Sequence, residues 1–211
     1  MAVDGTAVRA WMGEFATVVH DAKDELTTLD AAIGDADHGA NLDRGMTAAM
    51  QAVEALDAAS APGAVLKAVA MSLISKVGGA SGPLYGTLLL RMSASLGAAE
   101  DVDTAGFAAA LRAGVEGVTA RGKAVLEDKT MLDALLPACD ALDAAVAADH
   151  DLGTALRAAS SAADAGRDAT IPLVARKGRA SYLGERSAGH QDPGATSSAH
   201  LVRCAARTWA A

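Results

Sequence analysis

Apolar residues recur at three- and four-residue spacing along almost the whole chain, which predicts helices throughout. Trp11, Phe15, Val18, Ala22 and Leu26 form one stripe, with Asp4 or Thr6 as N-cap candidates. Met46, Met50, Val53 and Leu56 mark a second helix. Pro62 suits the first turn of a third, with Val65, Leu66, Val69, Leu73 and Ile74 expected to face inward and Gly78-Gly79 ending it. A fourth runs through Leu84, Leu88, Leu89 and Met92, and a fifth carries Phe107, Leu111, Val115 and Val118. Met131, Leu132, Leu135, Leu142 and Val146 define a sixth, with a bend expected at Pro137. Leu152 and Leu156 open a seventh, capped by Asp151, and the last spans Thr196 to Trp209. No run of alternating β-branched residues stands out, so strands are not expected. Eight amphipathic helices predict an all-α, antiparallel up-and-down bundle, one domain over residues 1–211.

Three joints are richer than a helical bundle requires: Asp30–Asn41, Gly78–Tyr85 and the polar, Gly-rich stretch Arg176–Ser198. Alternate loops of an up-and-down bundle meet at one end, so these three are expected to share a rim. Function concentrates on loops that a rigid scaffold positions.

Composition sharpens this picture. The chain is 51% hydrophobic yet only 3% aromatic, and small side chains let helices approach closely. A net charge of −8 argues against a nucleic-acid partner, which needs a basic face, and against an anionic membrane surface. Lys67, Lys76 and Arg91 interrupt the most apolar region, so no membrane insertion is expected. Asp4, Arg9 and Glu14 leave no signal-peptide pattern at the N-terminus. Cys139 and Cys204 lie far apart on apolar helical segments and read as two buried, reduced thiols. The expected location is the cytoplasm.

The densest chemistry is Asp30-Ala-Ala-Ile-Gly-Asp35-Ala-Asp37-His38-Gly39-Ala40-Asn41. Three carboxylates so close repel one another unless a cation or strong donors balance them. A hard divalent ion such as Mg²⁺ takes carboxylate oxygens and keeps positions for water and phosphate. The alternative is that these aspartates cap helices and turns. An EF-hand does not fit, because the Gly is one position early and Met46 stands where the bidentate Glu would be. Gly78-Gly79-Ala80-Ser81-Gly82-Pro83-Leu84-Tyr85 is either a Gly-rich phosphate turn at a helix start or an ordinary helix stop and restart. Gly117 to Lys123 nearly spells a P-loop, but Ala124 stands where Ser or Thr would hold the metal. Asp128 or Thr130 can cap the sixth helix. Lys177 to Ser187 gathers cations on an acidic protein, where Arg179 can take a phosphate through a bidentate fork.

Four segments together resemble a known family. Gly34-Asp35-Ala36-Asp37-His38-Gly39-Ala40-Asn41, Gly79 to Thr87, Asp128-Lys129-Thr130-Met131-Leu132-Asp133, and Gly178 to Gly184 with Asp192-Pro193-Gly194-Ala195 are similar, in order, to the nucleotide-binding L subunits of dihydroxyacetone kinases. One local departure is Leu126-Glu127, where relatives show a Gly. The resemblance implies an eight-helix barrel with nucleotide on the loops at one end. It implies that Asp30, Asp35 and Asp37 hold two Mg²⁺ ions bridging the phosphates of ADP or ATP. Nucleotide contacts are implied for His38, Gly39, Ala40, Asn41, Ala80 and Ser81, for Gly122, Thr130 and Met131 around adenine and ribose, and for Arg179, Asp192, Pro193 and Gly194.

The reaction so implied is phosphoryl transfer to dihydroxyacetone held on a separate K subunit. Asp30, Asp35, Asp37 and Arg179 are the catalytic set. Relatives work in two ways: bound ADP recharged in place by an M subunit of the phosphoenolpyruvate phosphotransferase system, or a fused kinase exchanging ATP. A chain of this span is expected to be the separate L module, favouring the first. An ATP-dependent kinase for another small acceptor, as in fatty-acid kinases, and a nucleotide-loaded module docking to a transcription factor are the alternatives.

Overall fold

The computed structural model describes residues 3–210. Nine α-helices follow in chain order: α1 (Gly5–Asp21), α2 (Lys23–Ile33), α3 (His38–Glu54), α4 (Pro62–Lys76), α5 (Ser81–Leu96), α6 (Thr104–Gly122), α7 (Leu132–Ala147), α8 (Leu152–Ala169) and α9 (Pro193–Trp209). A short 3₁₀ helix, Arg179–Ser187, lies between the last two. Among the described residues the sole strand-like pairing is an isolated bridge between Val3 and Val102.

The expected caps are present where the residue types placed them. Asp4 accepts the Ala7 N–H at 2.8 Å and Asp151 that of Thr154 at 2.9 Å. Asp103, not among the expected caps, does the same for Gly106 at 2.7 Å. Each satisfies an amide that the first turn leaves unpaired. Pro62 opens α4, its missing N–H costing nothing there. Pro137 is accommodated inside α7.

Four expectations need correction. The first stripe is two helices, parted at Ala22 (φ −87°, ψ 5°), and the acidic Asp24 and Glu25 then sit in the first turn of α2, where the helix dipole favours them. Most of Asp30–Asn41 is helical, since α2 runs on to Ile33 and His38 begins α3. The last helix starts three residues earlier than expected, at Pro193, because Asp192 caps it through the Ala195 N–H at 2.7 Å. Ile74 does not face inward; it is 41% exposed.

Successive helices from α3 to α9 pack side by side, and α9 and α3 both pack on α1, closing the ring. Small residues permit this closeness, as anticipated from composition. Five of the six aromatics are spent on the core: Trp11, Phe15, Tyr85, Phe107 and Trp209 are each 3% exposed or less. Trp11, Phe107 and Trp209 form an edge-to-face triad with centroids 5.0–5.7 Å apart. Both cysteines are buried and unpaired, and burial pushes each thiol up to about 12. No helix among the described residues is long and apolar enough to cross a membrane.

Candidate nucleotide and metal site

The site begins at the turn between α2 and α3. Asp30, on the last turn of α2, is 8% exposed, and its Oδ2 accepts the N–H groups of Asp37 at 2.8 Å and His38 at 3.1 Å. It thus caps α3 from a distance, a carboxylate at the positive end of the helix dipole. The turn is tight. A Cβ on Gly34 would lie 2.1 Å from Asp30 Oδ1, and one on Gly39 would lie 2.1 Å from the Lys23 carbonyl oxygen. Ala36 takes a left-handed φ of 61°, which costs a residue with a Cβ. Asp37 occupies the cap position of α3 without bonding a backbone amide through its side chain. The outcome is that Asp30, Asp35 and Asp37 bring carboxylate oxygens within 4.8 Å of one another. Both sequence explanations therefore hold in part: Asp30 caps, and all three converge.

Arg179 is the cation that faces this cluster, its Nε 3.0 Å from Asp35 Oδ2. It starts the 3₁₀ helix, where Gly178 (φ 64°) lets the chain turn toward the carboxylates. Behind the cluster, His38 Nε2 lies 2.9 Å from Ser197 Oγ, which lies 2.7 Å from the Tyr85 hydroxyl; that hydroxyl also meets Ser198 Oγ at 3.0 Å. Burial lowers the His38 pKa against the pull of Asp30 and Asp37, so the imidazole is held neutral. Burial raises that of Tyr85 to about 12. This neutral chain locks the acidic turn to α5 and α9.

The three expected joints do form one rim, and the α6–α7 connection joins them. They enclose a cavity of about 200 Å³ lined by Asp30, Asp35, Asp37 and His38, by Ala80 and Ser81 at the start of α5, by Thr130 and Met131, by Arg179, and by Asp192, Pro193 and Gly194. An adjoining cavity of about 320 Å³ shares Ala80, Leu84, Thr130 and Met131 and adds Val118 and Gly122. Together they fall within the ~300–1,000 Å³ of small-molecule sites. Gly39, Ala40 and Asn41 line neither cavity. Gly39 permits the close approach of α3 to α2, Ala40 is half-buried, and Asn41 Oδ1 accepts a bond from the Arg44 guanidinium at 2.6 Å.

The α6–α7 connection is built by carboxylates. Asp133 accepts the N–H groups of Glu127 at 2.5 Å and Thr130 at 2.7 Å; Asp128 accepts that of Val125 at 2.9 Å. Glu127 and Lys129 take φ values of 69° and 63°. The cap position of α7 falls on Met131, not on Asp128 or Thr130 as expected, and Thr130 Oγ1, one residue earlier, accepts the Leu132 N–H at 3.2 Å. Sequence reasoning gave no site role to Lys129, Leu84 or Lys177, all of which line the cavities. The apolar spacing marks Leu84 as core, Lys177 counts only as one of the cations of its stretch, and Lys129 only as part of a family-like segment.

Asp192 is the strongly perturbed acid of the rim. Burial lifts its pKa to about 7, although the Ala195 and Gly194 amides and Lys129 pull the other way. A raised folded value means that the folded state holds the proton. Its stabilisation is therefore complete below about pH 4 and is lost as pH rises toward 7. Asp192→Asn, which keeps an oxygen for the Ala195 N–H, is expected to remove this slope. Urea unfolding at several pH values across that window checks it; equal slopes in both proteins would refute the assignment.

The chain is similar to several known proteins. The family model for the DAK2 domain matches residues 32–207. The ADP-binding subunit DhaL of PEP-dependent dihydroxyacetone kinase from Escherichia coli K12 is 42% identical over 197 residues, covering 93% of each chain. The DhaL subunit of the PTS-dependent enzyme of Lactococcus lactis is 43% identical over 191 residues, 90% of this chain and 91% of that one. The D-erythrulose kinase of Mycolicibacterium smegmatis is 40% identical over 192 residues, but the chain spans only 33% of it. Among solved structures, the dihydroxyacetone kinase of C. freundii in complex with AMP-PNP and Mg²⁺ superposes with a TM-score of 0.72 at 25% identity, over 95% of this chain and 33% of that one. With a family model spanning most of its helices and DhaL relatives matched almost end to end, this chain belongs to the DAK2-domain family.

Proposed function

We propose that the chain is the nucleotide-binding subunit of a dihydroxyacetone kinase, a cytoplasmic phosphotransferase working with Mg²⁺ and ADP or ATP. The observation that carries this reading is the convergence, in one cleft, of three carboxylates, the N-terminus of α5 and Arg179. The donor set is all oxygen, which suits a hard divalent ion. Three close carboxylates against one arginine also leave negative charge that a cation would balance.

In this reading Asp30, Asp35 and Asp37 hold two Mg²⁺ ions, which when bound neutralise and orient the nucleotide phosphates. Arg179 supplies a planar fork to the same oxygens. Ala80 and Ser81 line the cavity at the start of α5, the helix end where an anion is favoured. His38, neutral, donates or accepts one hydrogen bond without adding charge. Thr130, Met131, Leu84 and Gly122 form the apolar slot for the base, and Asp192-Pro193-Gly194 closes the rim. Little covalent chemistry is asked of these groups, since phosphoryl transfer depends mainly on positioning and charge neutralisation.

Substrate and donor come from partners. A separate K subunit holds dihydroxyacetone, and the bound ADP is recharged in place by an M subunit; the relatives named as ADP-binding subunits of PEP- and PTS-dependent kinases support this reading. Tyr182 (87% exposed), Val125 (60%) and Leu126 (49%) on the rim loops offer apolar contacts to such partners. The deciding experiment is reconstitution. The purified chain is expected to keep ADP through dialysis in Mg²⁺ and, mixed with a K subunit, to turn over with a phosphorylated M subunit. Turnover with ATP alone would overturn the recharging scheme, and absence of ADP would overturn the nucleotide reading itself.

A further inference from the structure

Lys129 is the least expected group in the molecule: a lysine 1% exposed, with left-handed backbone, at the wall of the nucleotide cavity. A lysine beside a phosphate site invites the reading that it binds phosphate. Its hydrogen bonds say otherwise. Nζ donates to the carbonyl oxygens of Thr170 at 2.8 Å, Leu173 at 3.1 Å and His190 at 2.5 Å, with that of Ile171 at 3.4 Å. An ammonium has three N–H donors, so these carbonyls consume them all.

The carbonyls are informative in their own right. Thr170, Ile171 and Leu173 lie just past the last residue of α8, at the helix end where the dipole favours a cation. His190 lies two residues before Asp192, the cap of α9. Further bonds run alongside: Asp192 N–H to Thr170 Oγ1 at 3.0 Å, Gly189 N–H to the Ile171 carbonyl at 2.7 Å, and Arg176 N–H to the Asp128 carbonyl at 3.1 Å. One buried charge therefore joins the α6–α7 turn, the end of α8 and the approach to α9. The strap between, residues 171–191, carries Lys177, Gly178 and Arg179.

We propose that Lys129 is a positioning residue, its ammonium clasping the end of α8 to the start of α9 so that the strap holds Arg179 and Asp192-Pro193-Gly194 at the nucleotide cavity. This rests on the nucleotide reading above for its consequence, but not for the clasp itself. Burial pulls the Lys129 pKa down, while Asp133, and Asp192 where it is ionised, pull it up and so ease burial of the ammonium.

The test uses the full chain with Lys129→Met, which keeps the length and removes the donors, and the milder Lys129→Gln, which retains two. Amide hydrogen exchange is followed without nucleotide, and ADP and AMP are titrated separately with Mg²⁺ present. Exchange at Arg176, Gly189 and Asp192 is expected to quicken at least about tenfold in Lys129→Met, as befits loss of hydrogen bonds to a charged group, with α3 to α6 unchanged. ADP and AMP affinities should fall by the same factor, because the shape of the whole rim is affected. A loss for ADP with AMP unaltered would make Lys129 a phosphate ligand and overturn the proposal. Unchanged strap exchange would overturn it whether or not nucleotide binds, and failure of the unsubstituted protein to bind ADP would sink only the nucleotide reading. Unfolding of both variants would make Lys129 a determinant of the whole fold and overturn its local role.

Discussion

Asp37→Ala is expected to abolish Mg²⁺-dependent retention of ADP while leaving the helical content intact. The Asp37 side chain caps no backbone amide, so in the proposed site its loss removes a metal ligand and little else. Changes one step removed from a metal cost roughly 10–100-fold in affinity, and loss of a ligand should exceed the lower part of that range. Asp35→Ala should act alike, with the added release of Arg179 from its 3.0 Å ion pair. Asp30→Ala differs in kind. It removes a ligand and the acceptor for the Asp37 and His38 amides, so it should also lower stability by about 0.5–2 kcal/mol, as loss of a helix cap does. Equilibrium dialysis with ADP, alongside circular dichroism and urea unfolding, separates the two effects. ADP binding at the unsubstituted level in Asp37→Ala would dismiss the carboxylate cluster as a metal site.

The second large effect is on stability. Trp11→Ala should destabilise the protein by about 3–5 kcal/mol, the range for deletion of a buried large aromatic. Trp11 is 1% exposed, stacks edge-to-face on Phe107 and Trp209, and donates its indole N–H to the Leu201 carbonyl at 2.9 Å. Its removal breaks the aromatic triad that ties α1, α6 and α9 together, in a chain with few aromatics elsewhere. At roughly 2–4 °C per kcal/mol for a domain of this size, the melting temperature should fall by roughly 6–20 °C. Thermal unfolding followed by circular dichroism reads this directly; a shift under a few degrees would mean that the bundle repacks around the gap.

These two predictions also show how unevenly structure was legible in the chain. The helices were readable because an amphipathic stripe repeats at the helical period regardless of what it packs against. Trp11, Phe15, Leu111 and Leu135 were all placed in the core on that basis, and all are buried. Ile74 failed because the period identifies a face without saying how wide the buried part of it is. The break at Ala22 was invisible, since neither Gly nor Pro marks it and alanine continues a helix readily. The start of α9 was legible in principle from Asp192-Pro193, a cap followed by a proline at the first helical position, but the glycine after it resembled a loop.

The candidate site divides in the same way. The local chemistry of Asp30, Asp35 and Asp37 is legible because their spacing brings three carboxylates together across a single turn, whatever the remainder of the chain does. Which of them also caps α3, and which remains available to a ligand, depends on the path of that turn, set by the tight approach at Gly34 and Gly39. That Arg179 meets Asp35, 144 residues away in sequence, required the bundle to bring its alternate loops to one end.

By itself, then, the sequence determined the helical class, the inward residues and the oxygen-rich donor set, because these follow from local spacing and residue type. Tertiary structure alone decided that Gly39 and Asn41 stand behind the cavity instead of in it, and that Lys129 faces carbonyls, not phosphate. The reason is physical: a buried cation takes its role from the atoms that replace water around it, and those atoms come from α8 and α9, far along the chain.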